Sequence, residues 1–307
     1  MAQGASKVPL NSGGHVFHVS ERNRKWKRTL SAWILLLPAL VFLSVFTLYP
    51  IANSLFGSFF KNDLAVIKPR FTGLDNYTKL LSDSIFLRAF RNNLLTAAVT
   101  IPLSIAIAVA AAVFVNGMLR GKSFFRISFF YPVIMPMVAV ANIWLFIYTP
   151  AYGLLGRLNP SWHILGNPDT VLWGIVAMLV WKQAGYLMIF YLSGLQGISR
   201  ELYEAARIDG SGPVCAFFKI TWPLLRPVTV YATILSLTNA YKMVDHLYIM
   251  TKGGPNNASN MLLFYTFQTG FEFWDVGYAG AMTLVLVLLL LIITGAQFFT
   301  QDARYEK

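Results

Sequence analysis

Long runs of uncharged, mostly apolar residues dominate the chain, and short segments rich in lysine and arginine separate them. Charged residues are absent from four stretches, namely 29–60, 92–119, 127–156 and 276–301. A helix needs about 20 apolar residues to cross the ~30 Å hydrocarbon core of a bilayer, so each stretch is long enough. The membrane-spanning helices predicted within them are 30–56, 92–115, 127–148 and 278–299.

Two further apolar segments are long enough to span a membrane but carry polar residues in their interiors. These segments are 170–195, which contains Lys182, and 228–250, which contains Lys242, Asp245 and His246. Including both predicts six membrane-spanning helices. Pro132 and Pro136 predict a kink in the third, because proline removes a helical hydrogen bond.

The composition supports a protein that lies in lipid. Of the 307 residues, 56% are hydrophobic and only 12% are charged, whereas soluble domains carry about 25% charged residues. A soluble protein of this length would form about two domains, and so few charged residues could not cover their surfaces. We therefore predict an all-α integral membrane protein.

The net charge of +12 is distributed unevenly over the predicted loops. With the N-terminus in the cytoplasm, 15 lysines and arginines fall on the cytoplasmic side and 8 on the opposite side, as the positive-inside rule requires. The densest basic run, 22–28, directly precedes the first span and lacks a folded domain of its own. We interpret it as a topology signal rather than a nucleic-acid site, and both termini are predicted to be cytoplasmic.

These features divide the chain into three parts: a cytoplasmic N-terminal tail (1–28), a membrane domain (29–300) and a cytoplasmic C-terminal tail (301–307). The polar residues 1–21 predict disorder. The first apolar stretch is too long for the core of a signal peptide. The lone Cys215 excludes an internal disulfide, and four scattered histidines predict no metal site.

The sequence predicts no nucleotide, cofactor or catalytic site. Gly121-Lys122-Ser123 looks like the end of a P-loop, but that motif requires glycine where this chain has Asn116. No Ser/His/Asp arrangement or pair of carboxylates is visible. Energy from ATP would have to come from another chain.

The loop between the fourth and fifth helices, 196–227, contains a short amphipathic helix over 200–208. Ser199 is suited to cap its N-terminus, and Glu201 in the first turn favours the helix dipole. Leu202, Ala205 and Ala206 give the helix a small apolar face, and Gly210 ends it. We interpret this helix as a docking element for a cytoplasmic partner; the alternative is a helix packed against its own chain.

The same loop resembles the EAA loop of ABC-importer permease subunits, whose pattern is E-A-A-x3-G-x9-I-x-L-P. The matching residues are Glu204, Ala205, Ala206, Gly210, Ile220, Trp222 and Pro223, with tryptophan at the leucine position. Other segments resemble the carbohydrate subgroup of this family, specifically the maltose-permease-F-like half of a heterodimer. They are 71–77 (FTGLDNY), 192–196 (LSGLQ) and 251–255 (TKGGP), where Lys252 replaces a glycine.

The resemblance implies a six-helix type I ABC importer domain in a bacterial inner membrane. It implies a homologous second permease, two ATPase subunits that bind ATP and Mg²⁺, and an extracytoplasmic solute-binding protein that delivers a sugar. The residues implied to couple the permease to the ATPase are Glu204, Ala205, Ala206 and Gly210. They transmit motion and catalyse nothing.

Polar residues inside a membrane usually face a cavity or each other, and the family binds substrate between the fourth and fifth helices. The candidate substrate-binding residues are Lys182, Gln183, Tyr186, Asn239, Lys242, Asp245 and His246. An internal Lys242–Asp245 salt bridge is an equal alternative for that pair. Two cations against one carboxylate suggest an acidic, sulfonated or phosphorylated sugar.

Two other classes remain open from the residues alone. An ion-coupled secondary transporter or channel would use the lysines and Asp245 as a relay, but it would not explain the EAA spacing. A purely structural membrane subunit would leave the polar helix residues without a role.

Overall fold

The computed structural model describes residues 21–62, 68–118 and 120–305. Of the segment 1–21 that the sequence predicts to be disordered, all but Glu21 lie outside the described part, as do the tail residues 306–307. The described helices are α1 (Glu21–Leu43), α2 (Tyr49–Gly57), α3 (Asp75–Ser82), α4 (Ser84–Gly117), α5 (Lys122–Ile134), α6 (Met137–Tyr148), α7 (Leu154–Leu158), α8 (Val171–Gln196), α9 (Arg200–Ile208), α10 (Pro213–Ala216), α11 (Trp222–Leu224), α12 (Arg226–Lys242), α13 (Asp245–Met250), α14 (Leu262–Phe267) and α15 (Val276–Tyr305). Strands β1 (Phe60–Lys61) and β2 (Arg70–Phe71) form an antiparallel pair.

The chain divides into two compact units, and the first ends at Asn53. Helix α1 begins at Glu21, so the last eight residues of the predicted tail 1–28 are helical. A π-helical turn, Ser44–Leu48, joins α1 to α2. Every described side chain from residue 29 to 53 is exposed, although the segment is strongly apolar. Such a surface requires lipid or another apolar surface against it.

The second unit, Ser54–Lys307, is built around the packing of α4 against α8. Alanines on α4, including Ala108 and Ala112, are fully buried against Leu187 and Met188 of α8. Their small side chains let the two helix backbones approach closely, as is common between membrane helices. Helix α12 packs against both members of this pair and also contacts α15.

Four described helical segments are long and apolar enough to cross a membrane, and two bent helix pairs bring the number to six if each counts as one span. The four are Thr29–Gly57, Ser84–Gly117, Val171–Gln196 and Val276–Ala296. The pairs are α5 with α6, bent by 101°, and α10–α11 with α12, bent by 64°. The sequence prediction of a kink at Pro132 and Pro136 is thus confirmed as a sharp break.

The fifth predicted span, 228–250, differs from the structure at both ends. Helix α12 stops at Lys242, and α13 is a separate short helix that begins at Asp245. The apolar helical segment instead begins earlier, at Pro213, inside what the sequence predicted to be the loop 196–227. Hydropathy alone misplaced the span, because residues 243–250 are as apolar as the helix they follow.

Helices α5 and α8 approach unusually closely at Gly185. A Cβ atom at this position would collide with the carbonyl oxygen of Phe129 on α5. The absence of a side chain therefore sets the distance between the two helices. One turn earlier on α8 lies Lys182, which this packing brings to the end of α5.

Candidate functional site

Helix α9 is capped at both ends by local hydrogen bonds. At its start, the Ser199 hydroxyl accepts from the amide of Glu201 at 3.2 Å, as the sequence predicted. At its end, the amides of Ser211 and Gly210 donate to the carbonyls of Ala206 (2.8 Å) and Arg207 (3.0 Å). This pair of bonds is a Schellman motif, which needs a left-handed residue after the helix.

Gly210 supplies that residue, with φ of +77° and open space where a Cβ would lie. In a Schellman motif the left-handed residue lies four positions after the helix residue whose carbonyl accepts the longer bond, and in this helix that residue is Ala206. The motif spacing between the alanine pair and the glycine therefore matches the geometry of this cap. The position requires glycine for its backbone conformation, not for lack of room.

Three of the four predicted coupling residues lie on α9, and Gly210 lies in the turn that ends it. Glu204, Ala205 and Gly210 are exposed, and Ala206 is half-buried. Ile208 at the end of the helix is 87% exposed. The helix is anchored from the other side, where the Tyr203 hydroxyl lies 2.8 Å from that of Thr221. The arrangement is a fixed helix that presents an apolar and charged face outward.

A second polar region surrounds the break between α5 and α6. The carbonyl of Pro132 would accept a helical hydrogen bond from residue 136, but Pro136 has no N–H to donate. Lys182 fills the gap, because its Nζ donates to the carbonyls of Pro132 at 2.9 Å and Met135 at 2.7 Å. A cation at a helix C-terminus is also favoured by the helix dipole.

Lys182 also lines a cavity of about 190 Å³ between α5, α8 and α12, which we call the central cavity. The other residues that line it are Val133, Leu179, Gln183, Tyr186, Asn239 and Met243. Four of the seven predicted substrate-binding residues therefore meet around one cavity: Lys182, Gln183, Tyr186 and Asn239. The Tyr186 ring packs edge-on against Phe190, with ring centroids 5.2 Å apart.

The structure separates the other three candidates from this cavity. Lys242 and Asp245 are exposed at the interruption between α12 and α13, and neither belongs to the cavity lining. Among the described residues these two form no ion pair with each other, so the alternative of a Lys242–Asp245 salt bridge is not realised. His246 is fully buried and lines a smaller neighbouring chamber with Gln183 and Asn239.

Sequence reasoning missed the contribution of α4 to this polar region. Thr96 and Thr100 are buried and line the smaller chamber. They stand four residues apart, and therefore on one helix face, within the uncharged run 92–119. That spacing was a usable signal, but hydroxyls in an apolar helix more often bond to their own backbone.

Sequence reasoning also missed Asp83, which precedes α4. Its carboxylate accepts hydrogen bonds from the hydroxyls of Tyr265 (2.8 Å) and Tyr278 (2.7 Å) and from two backbone amides at the start of α4. Burial alone would raise the pKa of Asp83, but these hydrogen bonds outweigh it and hold the pKa below its ordinary value. Asp83 thus ties α4 to α14 and α15.

No metal-binding group is evident in the described part of the chain: no three or more His, Cys, Asp or Glu side chains are arranged to hold an ion. The central cavity instead offers one ammonium, two amides and a phenol. These groups suit a hydroxyl-rich or anionic ligand.

Comparison with known proteins gives the family. Residues 101–304 match the model of the binding-protein-dependent transport system inner membrane component family. A probable ABC transporter permease protein of Bacillus subtilis, YurN, is 34% identical over 85% of this chain and 92% of its own length. The sulfoquinovosyl glycerol transport system permease SmoG of Agrobacterium fabrum is 33% identical, with coverages of 88% and 92%.

A third relative is the sn-glycerol-3-phosphate transport system permease UgpA of Yersinia pestis, which is 31% identical over 89% of this chain and 95% of its own length. Among solved structures, a bacterial ABC transporter involved in alginate import superposes with a TM-score of 0.80 at 19% identity. That match covers 92% of this chain and 99% of the other, and it supports the type I permease fold. The chain therefore belongs to the binding-protein-dependent transport system inner membrane component family, the permease subunits of ABC importers.

Proposed function

We propose that this chain forms half of the translocation path of an ATP-driven, binding-protein-dependent importer of sugars or sugar derivatives. It docks an ATPase subunit through α9, and two such ATPases bind the ATP and Mg²⁺. The observation that carries this proposal is α9 itself, a doubly capped helix whose Glu204, Ala205 and Gly210 are exposed. An ordinary loop helix would bury its apolar face against its own chain.

The proposal includes a homologous second permease as the other half of the path. The central cavity measures about 190 Å³, whereas small-molecule sites usually enclose about 300–1,000 Å³. One chain therefore supplies only part of a sugar-sized site. A second permease facing the same cavity would complete it.

In this proposal the protein crosses the bacterial inner membrane with both termini and α9 in the cytoplasm. The excess of basic residues in the predicted cytoplasmic loops supports that orientation. An extracytoplasmic binding protein would deliver the sugar to the opposite end, where Asp83 and α14 lie. The family match favours this mechanism over the ion-coupled transporter that the polar residues alone left open.

The substrate we propose is a sugar or sugar derivative that carries an acidic group. Lys182 has three N–H donors and uses two of them on backbone carbonyls, which leaves one for a ligand. The described residues that line the cavity include no carboxylate to neutralise it. The names of two relatives specify phosphorylated or sulfonated substrates, which supports the same class here.

Transport in proteoliposomes tests this function. Vesicles would contain the chain, its second permease and the ATPase, with binding protein outside and labelled sn-glycerol 3-phosphate or sulfoquinovosyl glycerol as probe. We expect uptake that requires both ATP and binding protein. Uptake by this chain alone, driven by an ion gradient without ATP, would overturn the proposal.

The acidic-substrate proposal is tested by Lys182→Met, with Lys182→Arg as the matched control that keeps the charge. Since a hydrogen bond to a charged group contributes about 1.5–3 kcal/mol, we expect Met to lower kcat/KM for the anionic probe by roughly tenfold or more. Arg should retain most of it. The readout is the ratio of anionic probe to its neutral analogue, which a general loss of folding would leave unchanged. An unchanged ratio in Lys182→Met contradicts the proposal.

A further inference from the structure

A small, partly enclosed chamber lies next to the central cavity. Its volume is about 10 Å³, and α4, α8, α12 and α13 enclose it. Its polar lining consists of Thr96, Thr100, Gln183, Ser236, Asn239 and His246. Gln183 and Asn239 line both the chamber and the central cavity, so their side chains form part of the wall between the two.

Several buried polar atoms of this chamber have no hydrogen-bond partner within the described protein. They are the hydroxyls of Thr96 and Thr100, the Nε2 of Gln183 and both ring nitrogens of His246. His246 and Thr96 are each only 1% exposed. Buried polar groups are nearly always paired in folded proteins, because an unpaired one loses its bonds to water without compensation.

The size and chemistry of the chamber select its occupant. A space of about 10–15 Å³ on this measure is the minimum that holds one water molecule, and the chamber has about 10 Å³. A cation cannot pair with the Gln183 N–H, which is a donor. One water can accept from that N–H and from one threonine hydroxyl, and it can donate to the other hydroxyl and to the unprotonated nitrogen of His246.

We propose that the chamber holds one ordered water molecule, which joins α4, α8 and α13 and fixes the orientation of Gln183 toward the central cavity. Thr96, Thr100 and His246 are then positioning residues. They touch no substrate, but they hold the amide that does. This effect on substrate rests on the function proposed above, whereas the presence of the water does not.

The direct test is the structure of the assembled importer at a resolution that shows ordered water molecules. We expect density in the chamber within hydrogen-bond distance of Gln183 and His246. The variant Thr96→Val/Thr100→Val removes both hydroxyls at nearly constant shape and should lose that density. An empty wild-type chamber whose His246 nitrogens stay unpaired would overturn the proposal, whatever the importer transports.

Transport kinetics test the positioning role. We expect the double valine variant to raise KM for sn-glycerol 3-phosphate about tenfold with a smaller change in kcat, and Thr96→Ser/Thr100→Ser to restore the wild-type KM. Thr238→Val is the matched control, because its hydroxyl is bonded to the Ile234 carbonyl of its own helix. Chamber density that disappears without a change in KM contradicts the positioning role. If the valine variant fails to fold, His246→Gln gives the same two readouts.

Discussion

At the scale of single residues, polar side chains in the membrane domain satisfy backbone groups that the fold leaves open. Lys182 takes the place of the N–H that Pro136 lacks and so stabilises the break between α5 and α6. Unpaired carbonyls are especially costly in lipid, where no water replaces the missing donor. The same ammonium lines the central cavity. Lys182 therefore both stabilises the break between α5 and α6 and places a positive charge at the central cavity.

The sequence analysis grouped Lys182, Gln183, Tyr186 and Asn239 as substrate-binding candidates on two helices, and the structure brings these four side chains to one cavity. It could not predict that Lys182 binds carbonyls 47 and 50 residues away. It also grouped Lys242, Asp245 and His246 on one span, since nothing in the hydropathy marks the break at Met243 and Val244.

Lys252 stands where the family has a glycine, and its φ is +49°. The turn at 251–255 therefore needs a left-handed residue at this position.

Asp83 gives a pH-dependent prediction. Its pKa is held low in the folded protein, so its contribution to stability is complete above the unfolded pKa of about 3.9 and is lost as the pH falls through the folded value. Asp83→Asn keeps a good helix cap but loses the charge. We expect it to cost about 1–2 kcal/mol at neutral pH, after allowance for solvent screening.

Thermal unfolding of the purified protein between about pH 7 and pH 3 measures this effect. The difference between wild type and Asp83→Asn should shrink toward the acid end. Asp75→Asn is a suitable control, since Asp75 is an exposed aspartate in the first turn of α3. A difference that stays constant over the whole range would contradict the assigned role.

At the scale of helices, α9 is the element whose structure followed most closely from sequence. Its bounds, the Ser199 cap and the Gly210 stop were all predicted, because each rests on local chemistry. The membrane spans were less predictable. Pro132 and Pro136 predicted the break between α5 and α6, but the bend before α12 and the close approach at Gly185 depend on packing between helices, which no local pattern reveals.

Helix α9 offers a matched pair of glycine substitutions. Gly210 and Gly212 both have open space around them, but only Gly210 has a positive φ. Gly210→Val should therefore strain the Schellman cap by roughly 1–2 kcal/mol and reorient the end of the helix, whereas Gly212→Val should be tolerated.

The measurement is the number of substrate molecules transported per ATP hydrolysed by the reconstituted importer. We expect this ratio to fall severalfold in Gly210→Val and to stay near wild type in Gly212→Val. Equal ratios in the two variants would mean that the geometry of this cap has no part in coupling.

At the scale of the whole molecule, two surfaces remain incomplete in the single chain. The apolar side chains from residue 29 to 53 are all exposed, and the central cavity is smaller than a sugar site requires. Lipid would cover the exposed apolar side chains of residues 29–53, and the proposed second permease would complete the central cavity. The sequence predicts neither requirement in detail, because both depend on what surrounds the folded chain.

Docking of α9 on an ATPase can be tested directly, because the chain has only one cysteine of its own to remove. In a Cys215→Ser background, Ile208→Cys places one thiol at the end of α9, and Leu158→Cys places one on α7. The two positions are comparably exposed, at 87% and 76%. They flank the 26-residue helix α8, whose length is about 39 Å.

A short thiol-reactive crosslinker is then applied to the assembled importer. We expect a covalent adduct between this chain and the ATPase from Ile208→Cys and none from Leu158→Cys. An importer that hydrolyses ATP but forms no adduct at Ile208→Cys, or forms equal adducts at both positions, would contradict the docking of α9.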